Sequence, residues 1–139
     1  MIAVIMPVYN TEEYLGAAID SVIGQTLSFE ENVRLYLLDD ASTDGSLKIC
    51  QDYQKKYPDN IIVKHFEENQ GVSAIRNYGI RQCRECGDVI VSFLDSDDKL
   101  GEDVFERVVE FFDAHEDINM ATVEIMLFGA MTKDHKINW

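Results

Sequence analysis

The apolar run 89–94 ends in Asp95-Ser96-Asp97-Asp98. Asp95 and Asp97 stand two apart, so in an extended segment their carboxylates point the same way, as two hard oxygen ligands should. Two carboxylates completed by phosphate oxygens suit Mg²⁺ or Mn²⁺, ions that seldom take an all-protein cage. The competing reading makes Asp97 and Asp98 the caps of a helix beginning near residues 100–103. Acidic companions at the ends of neighbouring runs favour the ligand reading.

Asp39-Asp40 closes the run 33–38. A carboxylate there can accept a hydrogen bond from a nucleobase imide N–H or a ribose hydroxyl. The rival view has Ser42, Thr43 and Asp44 forming a turn and cap for the next helix, with Asp39 bracing it. Both hold together if Asp44 is structural and Asp40 binds. Tyr9, just past the first run, offers a ring that can pack on a base. Asn69-x-Gly71 reads as a loop entering a helix, and Arg76 within that helix offers a fixed cation to a base or phosphate. A Tyr or an Arg alone in such a place is an ordinary rim or surface residue. His65, His115 and His135 have no mutual spacing that suggests a metal site, and they read as surface residues.

Rigid elements must hold these segments. Apolar runs stand at 2–6, 33–38, 61–66, 89–94 and 120–128, and the first, second and fourth are continuous enough for strands covered on both faces. The fifth carries Glu124 and reads as a less central strand. Leu15, Ala18, Ile19, Val22 and Ile23 follow helical spacing, with Asn10 as N-cap and Glu13 three residues on. Further helices are expected from near Ser42–Asp44 to a stop before Pro58, from Ser73 to about Cys83, and through Val104, Phe105, Val108, Val109 and Phe112. Strand–helix alternation of this kind predicts one α/β domain over residues 1–139, a mostly parallel sheet with helices on both faces. In such sheets ligands bind beyond the carboxyl ends of the strands, where the four polar segments fall.

Composition narrows the function. Twelve Lys and Arg against 26 Asp and Glu leave a net charge of −14, which repels a nucleic-acid backbone and an anionic lipid surface alike. A single phosphate-bearing ligand remains open if a cation or helix N-termini receive it. Three cysteines make no disulfide framework; Cys83-x-x-Cys86 lacks a second ligand pair and a redox context. The expectation is a cytoplasmic protein, working at most at the membrane periphery, with no signal peptide and no membrane span in the chain.

Taken together, Pro7-Val8-Tyr9-Asn10, Asp39-Asp40-x-Ser42-x-Asp44-Gly45-Ser46, Asn69-x-Gly71-x-Ser73-x-x-Arg76-Asn77-x-Gly79 and Leu94-Asp95-Ser96-Asp97-Asp98 resemble the family 2 glycosyltransferases of GT-A, Rossmann-like fold. The order and spacing of four motifs match; Ile75, where the family often has Ala, is a mild departure. The resemblance implies transfer of a hexosyl-type sugar from a nucleotide-sugar, usually a UDP-sugar, to a saccharide or lipid-linked acceptor with inversion, as in polysaccharide and cell-wall synthesis. It implies that Pro7, Tyr9 and Asp40 hold the nucleobase with Asn69 and Arg76 nearby. Asp95, with Ser96, would face the ribose, and Asp97, in the DXD-type motif, would ligate Mn²⁺ or Mg²⁺. The family's general base lies later than Trp139, so the chain is expected to be the truncated, nucleotide-binding part of the enzyme. An apolar edge left by truncation would favour a homo-oligomer. A two-component receiver domain would need a Lys at a later strand end, where only Lys99 stands, behind three acids. A nucleotidyltransferase would need a Gly-rich basic loop after the first strand, and a non-catalytic nucleotide-sugar-binding remnant is the third alternative.

Overall fold

A computed structural model describes residues 1–86 and 90–121, with nothing of the Glu85 and Cys86 side chains. Two units divide the chain, Met1–Val108 and Val109–Trp139. The first carries β1 (Ile2–Val8), α1 (Glu12–Ile23), the short α2 (Phe29–Asn32), β2 (Val33–Asp39), α3 (Ser46–Lys56), β3 (Ile61–His65), α4 (Val72–Cys86) and β4 (Ile90–Phe93). Helix α5 (Val104–Ala114) begins in the first unit. In the second, Phe111 stacks on His115 with ring centroids 4.5 Å apart. No helix among the described residues is long and apolar enough to cross a membrane.

All pairings in the described sheet are parallel, in the order β3-β2-β1-β4. Alternation along the strands sends Ala3, Ile5, Tyr36 and Leu38 to one face, where Ile75 and Cys83 of α4 complete a buried cluster. α3 packs against β2 and β3, as a crossover between those strands requires. Helix α4 approaches β1 closely: a Cβ on Gly79 would stand 2.7 Å from Ile5 Cγ2, in the buried core. Gly79→Val is therefore expected to destabilise the fold by about 1–3 kcal/mol through overpacking. A thermal melt no lower than the parent's would show that α4 can lift off β1.

Pro7 sets where the sheet opens. In a parallel strand alternate residues face alternate neighbours. The Met1 and Ile5 carbonyls accept from Ile90 and Leu94 of the β4 segment, whereas the Val8 carbonyl accepts from Asp40 at the end of β2. Pro7 therefore faces β4 and has no N–H to offer it. Pairing of β1 with β4 stops at Ile5↔Phe93, while pairing with β2 runs on to Val8↔Asp39.

Three expectations change. β4 is not covered on both faces: Val91 and Phe93 are 38% and 45% exposed, because β4 is the outermost described strand. Asn10 is not the N-cap of α1; Thr11 is, and its own side chain makes no capping bond. The helix start is capped from another loop, with Thr11 N donating to Ser46 Oγ (3.0 Å) and Glu12 N to Asp44 Oδ2 (3.1 Å). Asp44 Oδ1 also accepts from Ser46 N at 2.9 Å, so one carboxylate serves the starts of α1 and α3. Burial pushes the Asp44 carboxyl up, but the bonds from Ser46 and Glu12 outweigh it and hold it below its ordinary value. Its contribution to stability is present above the ordinary carboxylate pKa and lost as pH falls through the lowered one. Asn10 instead clasps the same loop from φ 51°, donating its N–H to Ser42 Oγ and accepting from Thr43 N at 2.8 Å. The third change concerns His65, which is taken up with the site below. The fifth expected strand falls mostly on residues outside those described.

Candidate active site

Strand order reverses direction between β1 and β4, the switch point at which open α/β sheets bind ligands. There, where Pro7 ends the pairing, lies a cavity of about 430 Å³. Its walls are Pro7, Val8 and Tyr9 at the end of β1, Asp40 just past β2, Asn69, Gly71 and Val72 at the entry to α4, and Asp95, Ser96 and Asp97 beyond β4. Seven of the eight site residues expected from the sequence are brought together here, and Arg76 lies just behind them.

Asp40 is buried, with 4% exposure, and its two carboxylate oxygens are already engaged. Oδ1 accepts from Gln70 N at 2.7 Å and Oδ2 from Gly71 N at 2.9 Å. Asn69 Nδ2 donates to the Asp40 carbonyl (3.3 Å), and Asn69 Oδ1 shares the Gly71 N–H at 3.1 Å. Gly71 sits at φ +83°, a conformation that side chains rarely adopt, so the turn needs glycine there. Asp40 and Asn69 thus build the loop that opens α4 as well as lining the cavity. Each carboxylate oxygen keeps a further lone pair for a ligand donor.

Across the cavity, Arg76 reaches from α4 to Asp95, with Nη2 to Oδ1 at 2.6 Å, and its guanidinium lies 5.6 Å from the centre of the Phe93 ring. Arg76 Nε is buried without a hydrogen-bond partner. Ser96 is buried and its Oγ accepts from Thr11 Oγ1 at 2.9 Å, tying the acidic loop to the start of α1. Burial raises the Asp98 carboxyl above its ordinary pKa, and the charges of Asp97 and Asp95 raise it further. The helix-cap alternative for Asp97 and Asp98 loses ground, since α5 starts only at Val104 and the Phe105 N–H goes to Gln25 Oε1 at 3.1 Å.

Sequence reasoning missed two features. Val72, half exposed at the first turn of α4, faces the same cavity as the half-exposed Tyr9, so two apolar groups flank an otherwise polar site. His65 is not a plain surface residue: its Nδ1 lies 2.6 Å from Oδ2 of the fully buried Asp39. The two are register partners at the ends of β2 and β3. The clue in the sequence is that each stands at the carboxyl end of an apolar run of its own.

The sequence profile of Glycosyl transferase family 2 matches residues 3–131. This chain belongs to glycosyltransferase family 2. The family chain is 42% identical over 137 residues to the minor teichoic acid biosynthesis protein GgaB of Bacillus subtilis, covering 98% of itself and 15% of that protein. It is 39% identical over 138 residues to GgaA of the same organism, covering 99% of itself and 30% of GgaA. It therefore spans less than a third of either relative. Among solved structures, S. aureus TarS 1-349 in complex with UDP-GlcNAc is 30% identical with a TM-score of 0.72, over 83% of this chain and 32% of that one. The mannosyltransferase PcManGT from Pyrobaculum calidifontis, in complex with GDP-Man and Mn²⁺, is 21% identical with a TM-score of 0.67, over 80% of this chain and 32% of that one, and supports the fold alone. The fold is the GT-A fold of these glycosyltransferases.

Proposed function

We propose that this family 2 chain is the N-terminal nucleotide-sugar-binding part of an inverting glycosyltransferase that uses a UDP-sugar. The observation that carries the reading is the cavity at the β1/β4 switch point, with Tyr9 and Asp40 on one side and Asp95 and Asp97 on the other. Pro7, Tyr9 and Asp40 receive the nucleobase, with Asn69 and Arg76 beside it, and Asp95 and Ser96 face the ribose. The TarS structure, in complex with UDP-GlcNAc, supports uracil as the base. The names of GgaA and GgaB support a cell-wall polymer, saccharide or lipid-linked, as acceptor.

The donor set fits a divalent cation of the Mg²⁺ or Mn²⁺ kind. Asp97 is exposed beside Asp95 and Asp98, and among the described residues no three His, Cys, Asp or Glu side chains form a cage. An ion that completes its shell with water and diphosphate oxygens suits such a half-built site. Asp97 would hold it, and a bound ion would supply positive charge to offset that developing on the leaving UDP. In the transfer, an acceptor hydroxyl oxygen bonds to the anomeric carbon as the bond from that carbon to the diphosphate oxygen breaks. The hydroxyl proton passes to a general base, a role that none of the cavity residues named above is assigned. The chain's own residues orient the nucleotide and hold the leaving group in place.

Calorimetric titration with UDP, GDP and CDP, in Mn²⁺ and in EDTA, tests the reading. UDP is expected to bind best, and at least about tenfold more tightly with Mn²⁺, because a site in a chain of net charge −14 repels an unscreened diphosphate. Equal affinity in EDTA would remove the metal from the proposal, and no preference for UDP would remove the base assignment. Binding without transfer of sugar to any acceptor would mark the segment as a donor-binding part that needs the rest of the enzyme.

A further inference from the structure

Asp39 and Asp40 are consecutive, yet they point to opposite faces of the sheet. Tyr36 and Leu38 belong to the cluster under α4, so by alternation Asp40 shares that face and Asp39 turns to the face of α3. Asp39 is wholly buried there, with Oδ1 lacking any hydrogen-bond partner. A buried carboxylate in that state is costly unless its other oxygen is held. Asp39 Oδ2 is held by His65 Nδ1 at 2.6 Å, and the same oxygen accepts from Ser42 N at 3.4 Å. The last bond closes a turn that contains Ala41 at φ 64°, a left-handed conformation unfavourable for a residue with a Cβ. Such a turn persists only when its surroundings over-determine it. It also sets the direction in which Asp40 leaves β2.

We propose that His65 is a positioning residue for the nucleotide site: by fixing Asp39 Oδ2 it holds the turn that aims Asp40 at the Gln70 and Gly71 N–H groups and at the cavity. The chain of contacts is continuous. His65 Nδ1 is hydrogen-bonded to Asp39, Asp39 accepts from Ser42, and Asp40 accepts from Gln70 and Gly71. The Phe66 N–H donates to the Asp39 carbonyl at 2.9 Å, so the backbone pairing that brings the two side chains together continues past β3. The inference rests on the nucleotide-binding reading for its functional consequence, but the coupling from His65 to the loop at residues 69–71 does not.

The test uses the chain with His65→Asn, His65→Gln and His65→Leu. An Asn amide nitrogen occupies the place of Nδ1, whereas Gln carries its donor one bond further and Leu carries none. Amide hydrogen exchange at Gln70 and Gly71 is measured first, because it needs no ligand. Exchange is expected to rise roughly tenfold or more in the Gln and Leu variants and to return towards the parent in the Asn variant, the size expected for one hydrogen bond to a charged group. UDP affinity in Mn²⁺ should follow the same order. If all three variants lower the melting temperature but leave exchange at Gln70 and Gly71 unchanged, His65 serves packing alone and the proposal is overturned. If His65→Leu does not fold, the Asn and Gln pair still decides. A parent that binds no UDP while exchange follows the expected order would count against the nucleotide reading and leave the positioning role standing.

Discussion

Asp97→Ala is expected to remove the enhancement of UDP binding that the proposal assigns to Mn²⁺, while leaving the melting temperature within a few degrees of the parent. The side chain is exposed at a loop and supplies no core volume, and α5 takes its first cap contact from Gln25 rather than from the acidic loop. Without Asp97 the loop at residues 95–98 keeps Asp95, whose Oδ1 is engaged by Arg76, and Asp98, whose ionisation is still opposed by burial and by Asp95. That leaves too few free carboxylate oxygens for a strongly hydrated ion. Paired titrations of parent and variant, each with and without Mn²⁺, read the effect as the ratio of the two affinities. Persistence of the parent's ratio would transfer the ligand role to Asp98. A variant that no longer folds would restore the helix-cap reading.

The second large effect is expected from Asp40→Asn. An amide offers one acceptor oxygen where the carboxylate offers two, so one of the Gln70 and Gly71 N–H groups is left facing an NH₂. Loss of a hydrogen bond to a charged group costs about 1.5–3 kcal/mol. UDP affinity should therefore fall roughly tenfold or more, by way of the disturbed loop and of the weaker acceptor itself. Calorimetry beside a thermal melt separates the two contributions. A lower melting temperature with unchanged affinity would leave Asp40 as a builder of the α4 entry and nothing else.

The arrangement of the site was legible in the sequence to the extent that strand ends announce themselves. Asp39-Asp40 and Asp95 each follow a mostly apolar run, and a parallel sheet carries such run ends to one edge. What could not be read is how side chains divide their bonding capacity. Asp40 and Asn69 have the composition of ligand-binding residues, yet much of their hydrogen bonding goes to the backbone at residues 69–71. The cap of α1 escaped for a related reason, since Asp44 lies more than thirty residues from Glu12 along the chain. Local capping rules search three or four residues on, and a cap lent by another loop leaves no local signature. His65 escaped because a histidine among charged neighbours looks exposed until register sets it opposite Asp39. The outer position of β4 escaped because Val91 and Phe93 are as apolar as residues of a covered strand.

Pro7 lets the sheet come apart without stranding a donor. Prying two paired strands apart ordinarily leaves an inward N–H that has lost its carbonyl and gained no water, at roughly 1–3 kcal/mol for each such group. At Ile5 the seam would have to give up the bond between Leu94 N and the Ile5 carbonyl. One inward-facing residue later, the imino acid has no hydrogen to lose. The split therefore sits where dehydrating the backbone costs least, and a ligand that fills the gap has one fewer unmet main-chain group to satisfy.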